Sequence, residues 1–315
     1  MRVMVLGAGG AVGAAITRYA AANGFEVDGV VRAMTSRWTS PTCATLHSCD
    51  VRSKDALQQL VERQRPDLIV NAAFPSGQPT DDAGRVRLLS DMTAGVLGVI
   101  HALRDARYTG RLALLGSAMS YGAGDGPRRT TDRLSPQTFR GAAKASESLL
   151  ATQLAGEYEL RFTELRIFTA YGPFEQRQRL VAQLMRAGLT KSRVRLTARP
   201  FERDWIHYDD IARACLSLFN SAPRSGVLNL CSGKLTSTHA IARMMERIVG
   251  DDLIDPAPYE REDRYGEARP GLLPDPGEDI SWRPAMSLQV GLEETWAWAC
   301  TPAGSAYLLE DAISS

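Results

Sequence analysis

Histidine and cysteine are scarce in this chain. Its 315 residues hold four histidines and five cysteines (Cys43, Cys49, Cys215, Cys231 and Cys300). An odd number without any Cys-x-x-Cys pair argues against a disulfide framework or a structural zinc site and fits a reducing compartment. The scattered histidines give metal chemistry no foothold, so no metal is expected. A surplus of charge is missing too: 37 basic and 36 acidic residues leave a net charge of +1, which offers nothing to nucleic acid or to an anionic membrane. No run approaches 18 uninterrupted apolar residues, so no membrane span is expected. The apolar stretch before Gly7 is too short for the core of a signal peptide. The expectation is a cytoplasmic protein with a small-molecule partner. At 44% hydrophobic and 23% charged, the chain is ordinary globular material for one large domain or two smaller ones.

What is present is an alternation. "RVMVLGA" reads as a strand and "GAAITRYAAANG" as a helix closed by Gly24; "EVDGVVR" is a strand, "DALQQLVERQRP" a helix and "DLIVNAA" a strand. A long helix through "GVLGVIHALRDA" precedes the strand "RLALLGS". Such βα units predict a parallel sheet with helices on both faces, and consecutive apolar residues suit strands buried on both sides. After residue 172 the rhythm loosens into Pro- and Gly-rich loops around the helix "THAIARMMERIVG". The expected division is a dinucleotide-binding domain over 1–172 and a mainly substrate-binding domain over 173–315. Within the latter, about 203–232 returns to the first, since "GVLNLCSG" looks like another sheet strand.

Gly7, Gly10 and Gly13 in "VLGAGGAVGAAI" follow a strand and open a helix. The tight turn needs residues without a Cβ, and a pyrophosphate must reach backbone N–H groups at the helix N-terminus. In this strand–turn–helix context the pattern predicts a dinucleotide site rather than a bare glycine turn. The second strand ends in Val31 and Arg32, where an acid would take the ribose hydroxyls of NAD. An arginine suits the 2′-phosphate of NADP. NADP is therefore the expected cofactor, NAD the alternative, and the competing reading makes Arg32 and Arg37 solvated loop charges.

On these and further motifs the chain resembles the extended short-chain dehydrogenase/reductases, the NAD(P)-dependent sugar-nucleotide epimerase and dehydratase group. The resemblance rests on the glycine spacing, "CDVRS", "NAAF", "GSAMSYG", "LRIFTAYGP", "RDWIHYDDIA", "NLCSGK", "EARPG" and "SWRPAMSLQVGLEET". It implies a doubly wound parallel (Rossmann) sheet with a second, smaller C-terminal substrate domain, and a homodimer. It further implies that Asp50 and Val51 contact adenine, that Ala72 lies beside the cofactor, that Ser117 is the catalytic serine, and that Lys144 holds the nicotinamide ribose. Arg203 and Arg269 would hold a substrate diphosphate, as paired guanidinium forks on two loops can; for Arg203 an ion pair with Asp204 is the plainer alternative. The Trp282, Trp296, Trp298, Met244 and Met245 side chains read as packing.

The departures bear on chemistry. The family motif Tyr-x-x-x-Lys, ending at Lys144, would place its tyrosine at position 140, where Arg140 stands. A guanidinium stays protonated in a protein and cannot exchange that proton. Nor does an acid follow Ser117: Ala118, Met119 and Ser120 do, so dehydration is not expected. Arg140 and Lys144, four residues apart, share a helix face and repel. In one reading Arg140 clamps a substrate carboxylate or phosphate and lowers the pKa of Lys144, which becomes the acid/base, with Glu147 as a partial counter-charge. In others Tyr121, His207 or Tyr208 substitutes for the tyrosine, Tyr121 and His207 meeting the substrate, or no redox chemistry occurs. The leading expectation is an atypical epimerase or reductase acting on a sugar nucleotide or related carbohydrate. The alternatives are a catalytically silent dinucleotide binder and a non-redox enzyme using Arg140 as an anion clamp.

Overall fold

A computed structural model describes residues 1–33, 44–75, 77, 79–122, 124–220, 225–263, 268–274 and 282–310. Arg37 lies outside them. The first half alternates strand and helix: β1 (Arg2–Leu6), α1 (Ala11–Ala22), β2 (Glu26–Val31), β3 (Ala44–Ser48), α2 (Lys54–Gln64), β4 (Leu68–Asn71), α3 (Asp82–Asp105), β5 (Arg111–Ser117), α4 (Phe139–Glu157) and β6 (Arg161–Ile167). There follow β7 (Thr169–Tyr171), α5 (Leu180–Thr190), β8 (Val194–Thr197), β9 (Glu202–His207), α6 (Tyr208–Ser217), β10 (Ser225–Leu230), β11 (Leu235–Ser237), α7 (Thr238–Val249), β12 (Ile254–Tyr259), α8 (Leu288–Ala299) and α9 (Pro302–Leu309).

Seven strands form one parallel sheet in the order β10-β6-β5-β4-β1-β2-β3. The order reverses direction beside β1, the doubly wound arrangement in which ligands bind outside the C-terminal strand ends. Runs such as "VMVL" and "LIVN" are buried along their whole length because helices cover both faces. On one face α1 and α6 enclose Val5, Ile16, Ile206 and Ile211; on the other α2, α3 and α4 enclose Leu57, Val99, Leu114 and Phe162. α3 is long and apolar enough to cross a membrane by length and composition alone, yet Met92, Val96, Val99 and Leu103 face this second core. It begins at Asp82, well before its apolar stretch, because the Asp81 carboxylate accepts from Gly84 N and caps it.

Two small sheets, β11-β9-β7 and β12-β8, sit on a third core of Val181, Leu184, Met185, Ile241, Met245 and Leu292. Of the segment expected to return to the nucleotide-binding part, β10 joins the large sheet beside β6 and α6 packs on α1. β9 does not; it pairs with β7 and β11.

Candidate active site

The glycine turn lies at the C-terminal end of β1. Gly7 has φ +77°, and a Cβ there would stand 2.7 Å from Ala73 N, so the turn tolerates glycine alone. A Cβ on Gly13 would collide with the Gly7 carbonyl, which fixes the close approach of α1 to the strand. Gly10 differs: its Cβ would meet Gly7 O at an ordinary 3.5 Å. It is exposed, and as the N-cap of α1 it offers no side-chain cap and leaves no acid in the first turn. The first N–H groups of α1 therefore form a cradle suited to a pyrophosphate.

Arg32 is exposed just past β2, and its charge helps hold the Asp50 carboxyl below the usual range. The larger cause is Arg52, which grips Asp50 through its side chain and backbone N–H. Val51 packs against Gly95 and Gly98 of α3. Ala72 N donates to Leu6 O at 2.9 Å, keeping the β4 end against the cradle. The adenosine-end candidates thus cluster on adjacent strand ends.

Next to Ala73 stands Phe74, which sequence reasoning passed over. The Lys144 ammonium lies 3.9 Å and the Arg140 guanidinium carbon 4.8 Å from its ring centroid. A cation-π contact of this kind contributes about 0.5–2 kcal/mol. The only signal was an aromatic residue closing "NAAF". α4 presents both cations because Thr138 caps it through Gly141 N, placing residues 140 and 144 one turn apart on the same face.

Arg140 donates to Gly77 O at 2.7 Å and to Pro75 O at 3.3 Å, tying the residues after β4 to α4. Lys144 donates to Leu115 O at 2.9 Å and to Glu147 at 2.7 Å. Glu147 is 2% exposed; burial raises its carboxyl pKa, and Lys144 opposes that rise. Beneath it Glu164, fully buried, binds Ser148 and Arg166. The charge paired with the ammonium is therefore the anion Glu147, the counter-charge that its spacing from Lys144 offered. Ser117, at the end of β5, accepts from Met119 N at 3.2 Å and caps the short helical turn after the strand.

The proposed tyrosine substitutes are all buried. Tyr121 is 1% exposed and donates to Asn229 Oδ1 at 2.6 Å; burial pushes its phenol up to about 12. His207 is buried, accepts from Asp209 N through Nδ1, and is held below its ordinary pKa by desolvation. It stacks edge-on against Tyr171. Tyr208 is wholly enclosed, with its phenol raised by burial. Tyr121 and His207, expected to meet the substrate, are both buried side chains.

Arg203 forms a two-pronged pair with Asp263, at 2.8 and 2.5 Å, rather than with Asp204. Asp204 instead accepts from the Ser232, Gly233 and Gly271 amides and pins three segments together. Arg269 donates to Gly124 O at 3.0 Å. Asp263 and Arg269 both line a cleft of about 880 Å³ that also includes Phe201 and Leu235. Among the described residues no His, Cys, Asp and Glu group could hold a metal.

The sequence model of the NAD dependent epimerase/dehydratase family matches residues 3–231. The chain is 23% identical over 259 residues to the GDP-6-deoxy-D-mannose reductase of Pseudomonas aeruginosa, covering 78% of this chain and 84% of that protein. The crystal structure of UDP-glucose 4-epimerase with UDP-glucose from Thermotoga maritima superposes with a TM-score of 0.81 at 21% identity, over 94% of this chain and 98% of that one. The Thermus thermophilus UDP-glucose 4-epimerase complex with NAD gives 0.80 at 22% identity, over 99% and 100%.

Proposed function

The chain belongs to the NAD dependent epimerase/dehydratase family, and from that premise we propose that it is an NAD(P)-dependent epimerase or reductase acting on a nucleotide sugar, with an atypical proton-transfer site. One observation carries the reading. The glycine cradle, the Ala73–Phe74 strand end and Lys144 form one continuous surface at the C-terminal edge of the large sheet, with Ser117 closing the neighbouring strand. Relatives of this fold bind NAD and UDP-glucose.

The cradle fits a dinucleotide because the exposed N-cap Gly10 carries no side chain over the first N–H groups of α1, and the glycines at 7 and 13 let the turn pack closely enough to present them. When bound, the dinucleotide supplies hydride acceptance and return. The N–H groups of α1 would hold its pyrophosphate, Arg32 and Asp50 its adenosine end, and Ala72 and Lys144 its ribose side. Arg32 favours NADP. Proton handling falls to Lys144, whose Nζ is joined to the buried Glu147 carboxylate: the pair can pass a proton between Nζ and Oε2 without a phenol. Arg140 holds the Pro75 and Gly77 carbonyls and lies over the Phe74 ring. Arg203 and Arg269 face the sugar-nucleotide end; on substrate arrival Asp263 releases Arg203 to phosphate. Val86 and Leu89 on α3 with Leu149 and Leu150 on α4 are exposed apolar residues that support a homodimer through these helices.

A second reading, a silent dinucleotide binder, draws on the burial of every described phenol proposed as a substitute. Turnover decides. A panel of UDP- and GDP-sugars is incubated with NADP or NAD and followed at the nicotinamide absorbance and by sugar NMR. Conversion abolished by Lys144→Ala supports the enzyme; dinucleotide binding with no conversion of any sugar supports the binder.

A further inference from the structure

At the opposite, N-terminal edge of the large sheet, β4, β5 and β6 start side by side. Leu68 is in register with Arg111, and Arg111 with Arg161. In-register residues of parallel strands point to the same face, so two guanidinium stems are neighbours. Arg111 is 3% exposed and donates to Thr163 at 3.2 Å; burial and the charge of Arg161 both work against its protonation. A cleft of about 570 Å³ opens over this pair, and Arg65 and Arg107 complete its lining of arginines.

Those two arginines sit in the left-handed region, Arg65 (φ +47°) as the C-cap of α2 and Arg107 (φ +49°) just after α3. Glycine is the residue that costs least there. The helix dipole favours a cation at a C-terminus, but it does not explain why two helices turn strained arginines onto one cleft. Among the described residues, the side chains of Arg65, Arg107 and Arg161 make no hydrogen bond or ion pair, while the acids on the rim are engaged elsewhere. Glu62 accepts from Gln58 and Asp67 from Arg2 N. Leu218 and Phe219 provide an apolar wall.

We propose that this cleft binds a diphosphate-bearing small molecule, a nucleoside diphosphate, at a site remote from the dinucleotide cradle. Guanidinium forks match phosphate oxygens in pairs, a doubly charged group relieves the Arg111–Arg161 repulsion, and Phe219 and Leu218 suit a base. The volume lies in the range of small-ligand sites, about 300–1,000 Å³.

The probe is ADP, titrated calorimetrically into the full chain. Because ADP would also enter the cradle, the Gly10→Val variant isolates the second site. One ADP should still bind that variant. Adding Arg107→Ala and Arg161→Ala, both at exposed positions, should weaken that binding about tenfold or more. In the unmodified chain the same two substitutions should remove one of two ADP sites and leave the other. Loss of all ADP binding in Gly10→Val, or affinity unchanged by the arginine substitutions in both backgrounds, overturns the proposal.

Discussion

Glu175→Gln separates charge from shape at a position where the fold has enclosed an acid. Glu175 follows β7 and is 1% exposed, with its carboxylate against the first turn of α5 and Arg179 Nε 2.7 Å away. Burial is the dominant influence and lifts the carboxyl from 4.5 to about 7; Arg179 and the Ala182 amide pull it back only in part. A carboxyl raised in the folded state stabilises the fold fully below its unfolded value and loses that contribution as pH rises through the folded one. The window is therefore 4.5 to about 7, with stability falling as pH rises. At about 1.4 kcal/mol per tenfold, the ionised fold carries a burden of roughly 3 kcal/mol at its upper limit. Glutamine keeps the volume and cannot ionise. Urea unfolding of both proteins, followed by tryptophan fluorescence between pH 4.5 and 8.5, should show the variant more stable above pH 7. The difference should shrink steadily as pH falls. A difference that stays constant across the range refutes the buried-acid reasoning. So does a wild type that gains on the variant as pH rises, which would mean that Arg179 outweighs burial.

Gly10→Val should leave thermal stability close to wild type, since the position is exposed and a Cβ there meets Gly7 O only at an ordinary contact distance, yet abolish binding of either dinucleotide by calorimetry. Gly13→Ala should instead destabilise the fold, seen as a lowered Tm. NADP(H) should bind more tightly than NAD(H), and Arg32→Ala should erase the preference, a loss of about tenfold or more for one charge-assisted contact; equal affinities in the wild type place Arg32 away from the 2′-phosphate. Lys144→Ala should lose turnover by 100-fold or more while Glu147→Gln shifts the pH–rate profile, as expected of general acid–base groups worth about 10²–10⁴. Arg140→Tyr should release the Gly77 carbonyl that the guanidinium holds, measured as faster amide exchange at Gly77. If it raises oxidoreductase turnover instead, the native arginine marks a silenced site.

Local pattern determined much of this protein. Buried runs such as "VMVL" and "LIVN" can serve only as central parallel strands, and the glycines at 7, 10 and 13 need a strand before them and a helix after them to make physical sense. Element order, sheet type and cradle were therefore legible from residues close together in the chain. Spacing also put Arg140 and Lys144 on one helix face. It could not say what would lie across from that face. Phe74 comes from 70 residues upstream of Lys144 and brings its ring within reach of both cations, whereas Glu147, three residues beyond Lys144, was already legible from spacing as its counter-charge. The partner of Arg203 was decided in the same way. Its chain neighbour Asp204 points to three backbone amides brought in by distant loops, and Asp263 arrives from another segment. Tyr121 and His207 stand in polar motifs, yet both side chains are buried. Secondary structure follows from side-chain periodicity along the chain. The pairing of charges and the burial of phenols depend on which distant segments pack together, and only the tertiary structure decides that.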